Sequence, residues 1–65
     1  MKLVVNGKEC IIRERHLGSA LRELSLDATY AAVAVNWKCV PKNEWESLQL
    51  EEDDRVEILV PQAGG

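Results

Sequence analysis

Two cysteines and a single histidine are all the thiols and imidazoles this 65-residue sequence offers. Two cysteines make at most one disulfide, which excludes a disulfide-built scaffold. Cys10 and Cys39 form no Cys-x-x-Cys pair and have only His16 to join them, which argues against a zinc site. No metal and no bound cofactor are expected. Long apolar runs are missing too: none approaches the length that spans a bilayer, and there is no signal-peptide pattern. The expectation is a cytoplasmic protein with free thiols. Basic charge is scarce. Eight Lys and Arg stand against eleven Asp and Glu, for a net charge of −3. A nucleic-acid binder needs clustered cations for phosphate contacts. The nearest approach here is Arg13, Arg15 and His16, and Glu14 interrupts it.

The remaining composition is that of one globular domain, 46% hydrophobic and 29% charged, without the low hydrophobicity of a disordered chain. A domain this short buries only about 60% of its unfolded surface and has a radius of gyration of roughly 11 Å. It has little room for a deep catalytic cleft, which favours a partner, carrier or binding module over a self-sufficient enzyme.

Met1 to Val5 reads as a strand, and Asn6-Gly7 follows it. Asn-Gly is the strongest short hairpin signal, because both central residues of a type I′ turn need φ > 0. A two-residue turn pairs Val5 with Lys8, Leu3 with Cys10 and Met1 with Ile12. Cross-strand partners share a face, so Leu3, Cys10, Met1 and Ile12 point to the core. Cys10 is then expected to be a buried, inert thiol. Leu17, Ala20, Leu21 and Leu24 recur at helical spacing and predict an amphipathic helix laid on the sheet, with His16 at its N-cap. Ala32 to Val35 predicts a strand, Asn36-Trp37 a turn, and Lys38 to Val40 its continuation. Pro41 suits the first position of a helical turn through Trp45, with Trp45 as its anchor. Leu48 and Leu50 read as a short strand or core plug. The acidic run Glu51 to Asp54 reads as a polar turn, with a contact for a basic partner as the alternative. Arg55 to Val60 is the last strand. Cys39 is expected to face away from the core, and Trp37 to be exposed.

The order is β-β-α-β-(turn)-β. Two terminal strands pairing in parallel at the sheet centre, with the helix as crossover, make an α+β, β-grasp (ubiquitin-like) roll. It is a mixed sheet of four to five strands with one main helix on one face. Residues 1–60 form the single domain, and 61–65 a flexible tail ending in Gly-Gly. Those last five residues can extend roughly 17 Å. Glycines without Cβ can thread a narrow channel, and a terminal α-carboxylate is ionised at neutral pH. A carboxylate resists nucleophiles, and conversion to an acyl-adenylate by a nucleotide-using partner supplies a good leaving group.

The sequence resembles the bacterial thiamin-biosynthesis sulfur carriers, the ThiS family. The resemblance covers nearly the whole chain. It rests on Leu3-Val4-Val5-Asn6-Gly7, the helix Leu17 to Leu24, Val33-Ala34-Val35-Asn36, Val40-Pro41-Lys42 with Glu44-Trp45, Asp54 to Leu59, and Ala63-Gly64-Gly65. It implies that the chain has no catalytic residues of its own and is a protein co-substrate. An E1-like adenylyltransferase (ThiF-like) adenylates Gly65 with ATP and Mg²⁺ and recognises Ala63, Gly64 and Gly65. A cysteine-derived persulfide donor then turns the adenylate into a thiocarboxylate, and a thiazole synthase (ThiG-like) receives the sulfur. The free carrier is expected to be a monomer. Alternatives with the same ending are the small subunit of molybdopterin synthase (MoaD-like) and a ubiquitin-like modifier conjugated to lysines; a binding module with an irrelevant tail is the alternative from another class. The chain departs from the family pattern at His16, Trp37 and Asp53. Strand alternation puts Val4, Glu57 and Leu59 on the outer face, and Val4 with Leu59 is expected to form an apolar partner patch at the base of the tail.

Overall fold

The computed structural model describes residues 1–60; the expected tail, 61–65, lies outside the described residues. Asn6 and Gly7 both take left-handed backbone, with φ of 49° and 81°, as a type I′ turn demands. They join β1 (Lys2–Val5) to β2 (Lys8–Ile11), pairing Val5 with Lys8 and Leu3 with Cys10. The Ile12 N–H donates to the Met1 carbonyl at 2.8 Å. This is the register the Asn-Gly turn predicts, and Leu3 and Ile12 are accordingly buried. Cys10 departs from expectation: it is half-buried at the margin of the core. The reason is position in the sheet, since β2 is an edge strand with no outer neighbour to cover its flank. Both thiols are free, and Cys39 is exposed.

Helix α1 (Leu17–Glu23) starts at His16, which is extended and makes no side-chain cap bond. The first orphan N–H groups of a helix need other acceptors. Here the backbone of the 45–48 segment supplies them: Leu17 donates to the Leu48 carbonyl at 2.9 Å and Gly18 to that of Trp45 at 2.8 Å. A Cβ on Gly18 would meet the Glu46 carboxylate, the far end of an exposed side chain that can move aside. Arg22 holds the same carboxylate through two bonds of 2.7 and 3.0 Å. At the other end Ser25, at φ 57°, takes the left-handed position usually given to glycine. Its N–H reaches the Arg22 carbonyl, and the Leu26 N–H that of Leu21, closing a Schellman motif.

The sheet order is β2-β1-β5-β3-β4. β5 (Arg55–Leu59) lies at the centre, parallel to β1 on one side and antiparallel to β3 (Ala32–Val35) on the other. β4 (Lys38–Cys39) returns from β3 through the Asn36-Trp37 turn. Leu17, Ala20 and Leu21 of α1 pack on Leu3, Val5, Val33 and Val56 of one sheet face; the other face is left open. Pro41 differs slightly from expectation. It is the extended residue before a short 3-10 helix, Lys42–Glu44, rather than its first member. Trp45 anchors that turn, buried and donating its indole N–H to the Val40 carbonyl at 2.9 Å. Leu50 is buried, and Gln49 forms an isolated bridge with His16. The radius of gyration is 11.2 Å. A mixed five-stranded sheet gripping one crossover helix is the β-grasp arrangement that the element order predicts.

Candidate functional site

The site of interest is where β5 leaves the sheet, because residues 61–65 follow directly. Strand alternation sends Val56 and Ile58 toward the helix and Arg55, Glu57 and Leu59 to the open face. Val56 is buried, while Leu59 is 66% and Val60 63% exposed. β3 frames this end, with Ala32 opposite Leu59. Tyr30, just ahead of Ala32, is 85% exposed. The strand end thus carries several uncovered apolar side chains.

The patch expected from Val4 and Leu59 is not formed as such. Val4 does share the open face, but its parallel register places it beside Arg55, four residues before Leu59. At about 3.3 Å per residue the two lie roughly 13 Å apart along the strand. Val4 is also half-buried. Glu57 is half-buried and has its carboxylate 3.9 Å from the Arg55 guanidinium. Alternation revealed the face correctly; the parallel register, which no turn fixes, decided the spacing. The exposed neighbours that sequence reasoning passed over are Tyr30 and Val60. Their only signal is local: an aromatic immediately before one strand and an apolar residue immediately after another.

Trp37 is exposed, as expected, and sits at φ 70° in the second hairpin turn, with Asn36 at φ 51°. A bulky residue in the left-handed region is uncommon. Here the Arg55 guanidinium lies over its ring, 5.4 Å from the centroid, a separation suited to cation–π attraction.

The acidic run is a turn, as read from the sequence, and much of its charge is committed internally. Glu52 accepts the Lys2 N–H at 3.0 Å, and Asp54 accepts the Glu51 N–H at 2.8 Å and the Asn36 amide at 2.9 Å. Asp53, at φ 68°, gives its N–H to the Lys2 carbonyl and pairs with the Lys2 ammonium at 3.1 Å. That hydrogen bond and charge hold the Lys2 pKa above its ordinary value. On the helix side, N–H groups of Glu14 and Arg13 donate to Glu23 and lower its pKa. Among the described residues no group of three or more His, Cys, Asp or Glu is placed to hold a metal ion. Nor is any helix there long and apolar enough to cross a membrane. An open depression of about 620 Å³ lies at the opposite end of β1, lined by Met1, Ile12, Arg13 and Arg15 among others.

The sheet order, the parallel pairing of first and last strands and the single crossover helix make this a ubiquitin-like β-grasp protein. The ThiS family model matches residues 4–65, and the chain belongs to that family. Two solved structures agree. The crystal structure of a thiamine biosynthesis protein (ThiS) from Geobacter metallireducens is 26% identical, with all of both chains covered and a TM-score of 0.85. The solution structure of a thiamine biosynthesis protein from the same organism is also 26% identical, with all of this chain and 88% of that one covered and a TM-score of 0.75. No curated protein matches the chain.

Proposed function

We propose that this chain is the sulfur carrier of thiamin thiazole synthesis, a protein co-substrate whose reacting group is the Gly65 carboxylate. The observation that carries this reading is the family match running through Gly65, in a chain whose central strand, β5, is the last element before that residue in the sequence. An E1-like adenylyltransferase binds ATP with Mg²⁺. A Gly65 carboxylate oxygen attacks the α-phosphorus, and pyrophosphate leaves. The metal offsets phosphate charge during that displacement. A persulfide sulfur on a donor protein then attacks the acyl carbon and expels AMP. Cleavage of the resulting S–S bond by a thiol leaves a thiocarboxylate, and thiazole synthase takes its sulfur. Ala63 and Gly64 supply a slim approach to the reacting atom.

The test is the intact mass of the protein after incubation with its activating enzyme, ATP and a persulfide source. The expected product is heavier by the difference between one sulfur and one oxygen atom, and the gain disappears without ATP. An unchanged mass under complete conditions rejects the carrier reading; a mass gain on target lysines, with no thiocarboxylate, favours a conjugated modifier.

The activating enzyme is expected to seat on the open face where β5 ends, on Leu59 with Glu57 beside it and Val4 further along the same face. Leu59 is exposed, so Leu59→Asp removes apolar contact without touching the core. Burying a side chain of this size contributes roughly 1.5–3 kcal/mol. Titration of the variant with the activating enzyme is expected to show at least a tenfold weaker Kd with an unaltered circular dichroism spectrum. Equal affinity removes Leu59 from the interface.

A further inference from the structure

β5 donates the same unusual hydrogen bond near each end, to two asparagines in equivalent turns. In the β1–β5 ladder Val4 donates to the Asp54 carbonyl and Asn6 to that of Val56, both at 2.9 Å. The next rung of a parallel ladder takes the Ile58 N–H to the backbone carbonyl of residue 6. The hairpin turn carries that carbonyl away, since Asn6 is left-handed. The Ile58 N–H instead donates to the Asn6 side-chain oxygen at 2.7 Å. The β3–β5 ladder repeats this. Asn36 donates to the Arg55 carbonyl at 2.7 Å, and the reciprocal bond, from the Arg55 N–H, goes to the Asn36 side-chain oxygen at 3.0 Å. Each hairpin turn thus replaces its own lost carbonyl with a carboxamide.

We propose that Asn6 is a positioning residue for the carrier reaction: by completing the last rung on the β1 side, it sets the direction in which β5 delivers residues 61–65 to the activating enzyme. This rests on the carrier reading above. Turn chemistry alone does not account for the bond, because Gly at this position satisfies φ > 0 equally well. Ile58 precedes Leu59 and Val60, and β1 ends before reaching them. Without the carboxamide the strand loses its last tie to β1 while keeping β3. Freedom gained at Ile58 passes to Leu59 and Val60, the described residues from which 61–65 set out. Displacing a reacting group by even about 1 Å can cost roughly 100-fold in rate. Asn36 makes the matching bond at the start of β5, remote from the exit.

The test compares Asn6→Gly, Asn6→Asp and Asn36→Gly in the full chain. Glycine keeps the turn and removes the acceptor; Asp keeps both. The readouts are hydrogen exchange at the Ile58 amide, backbone order parameters at Leu59 and Val60, and ATP–pyrophosphate exchange with the activating enzyme. Asn6→Gly is expected to speed Ile58 exchange at least tenfold, to lower the order parameters from about 0.85 toward 0.6, and to reduce kcat/KM by about tenfold or more. Asn6→Asp restores all three to near the parent values. Asn36→Gly, which also loses the amide bond to Asp54, costs at least as much thermal stability but leaves kcat/KM within about twofold. Parental kcat/KM in Asn6→Gly, or an equal loss in Asn36→Gly, overturns the positioning role. Absence of exchange with the parent protein overturns the carrier reading itself, and Ile58 protection then still reports whether the side-chain rung exists.

Discussion

Deletion of Gly65 is expected to abolish carboxyl activation while leaving the melting temperature unchanged. The shortened chain still ends in a carboxylate, now on Gly64. Its chemistry is the same and its place is not, because one residue removes about 3.5 Å of reach. An activating site that holds the carboxylate in line with the α-phosphorus tolerates far less than that: roughly 1 Å of misplacement costs about 100-fold. The fold has no part in the loss, since the core runs from Leu3 to Val56. Gly64→Val is expected to fail by a different route, as a β-branched side chain restricts φ and widens the segment that must enter the site. ATP–pyrophosphate exchange measured beside a thermal melt separates the two properties. Exchange at the parental rate by the Gly65 deletion rejects the terminal carboxylate as the reacting group.

Leu17→Ala is expected to have the reverse signature, a collapse of stability with the chemistry of residues 63–65 untouched. Leu17 is fully buried at the start of α1, where the helix meets both the sheet and the 45–48 segment. Truncating such a leucine costs about 2–5 kcal/mol, depending on how far the cavity relaxes. The whole stability of a domain this size is on the order of 3–10 kcal/mol. One kcal/mol is equivalent to about 4–8 °C, so a fall of at least roughly 10 °C in Tm is expected. The helix has no side-chain cap to fall back on, and at seven residues it depends on packing rather than propensity. A fall of less than a few degrees shows that the neighbouring side chains close the cavity and that α1 is held chiefly by its backbone bonds to Leu48 and Trp45.

Local chemistry made much of this protein legible in advance. Asn6-Gly7 dictates the turn, and the turn dictates the pairing of Leu3 with Cys10, because a two-residue loop leaves one register. The spacing of Leu17, Ala20, Leu21 and Leu24 dictates the helix and the face it buries. The acidic run reads as a turn or a contact, and two of its carboxylates, Glu52 and Asp54, are tied to the Lys2, Glu51 and Asn36 nitrogens. The family resemblance, carried on residues near both ends, holds over residues 4–65.

Other properties depended on distances along the chain that no local rule spans. The burial of Cys10 depends on whether β2 is an edge, and that is a property of strand order. Val4 and Leu59 share the face that alternation predicts but do not adjoin, because the stagger of two parallel strands joined through a helix is settled by packing and not by a turn. The same holds for Asn6 and Asn36. Sequence marks both as turn residues, yet their bonds to Ile58 and Arg55 cross 52 and 19 positions. Sequence alone therefore determined the elements and the inner faces, since these follow from side-chain periodicity and backbone sterics within a few residues. Tertiary structure alone decided which strand is flanked, how far β5 slides along β1, and which side chains finish its ladder, since those follow from the one arrangement in which the buried faces of sheet and helix close on each other.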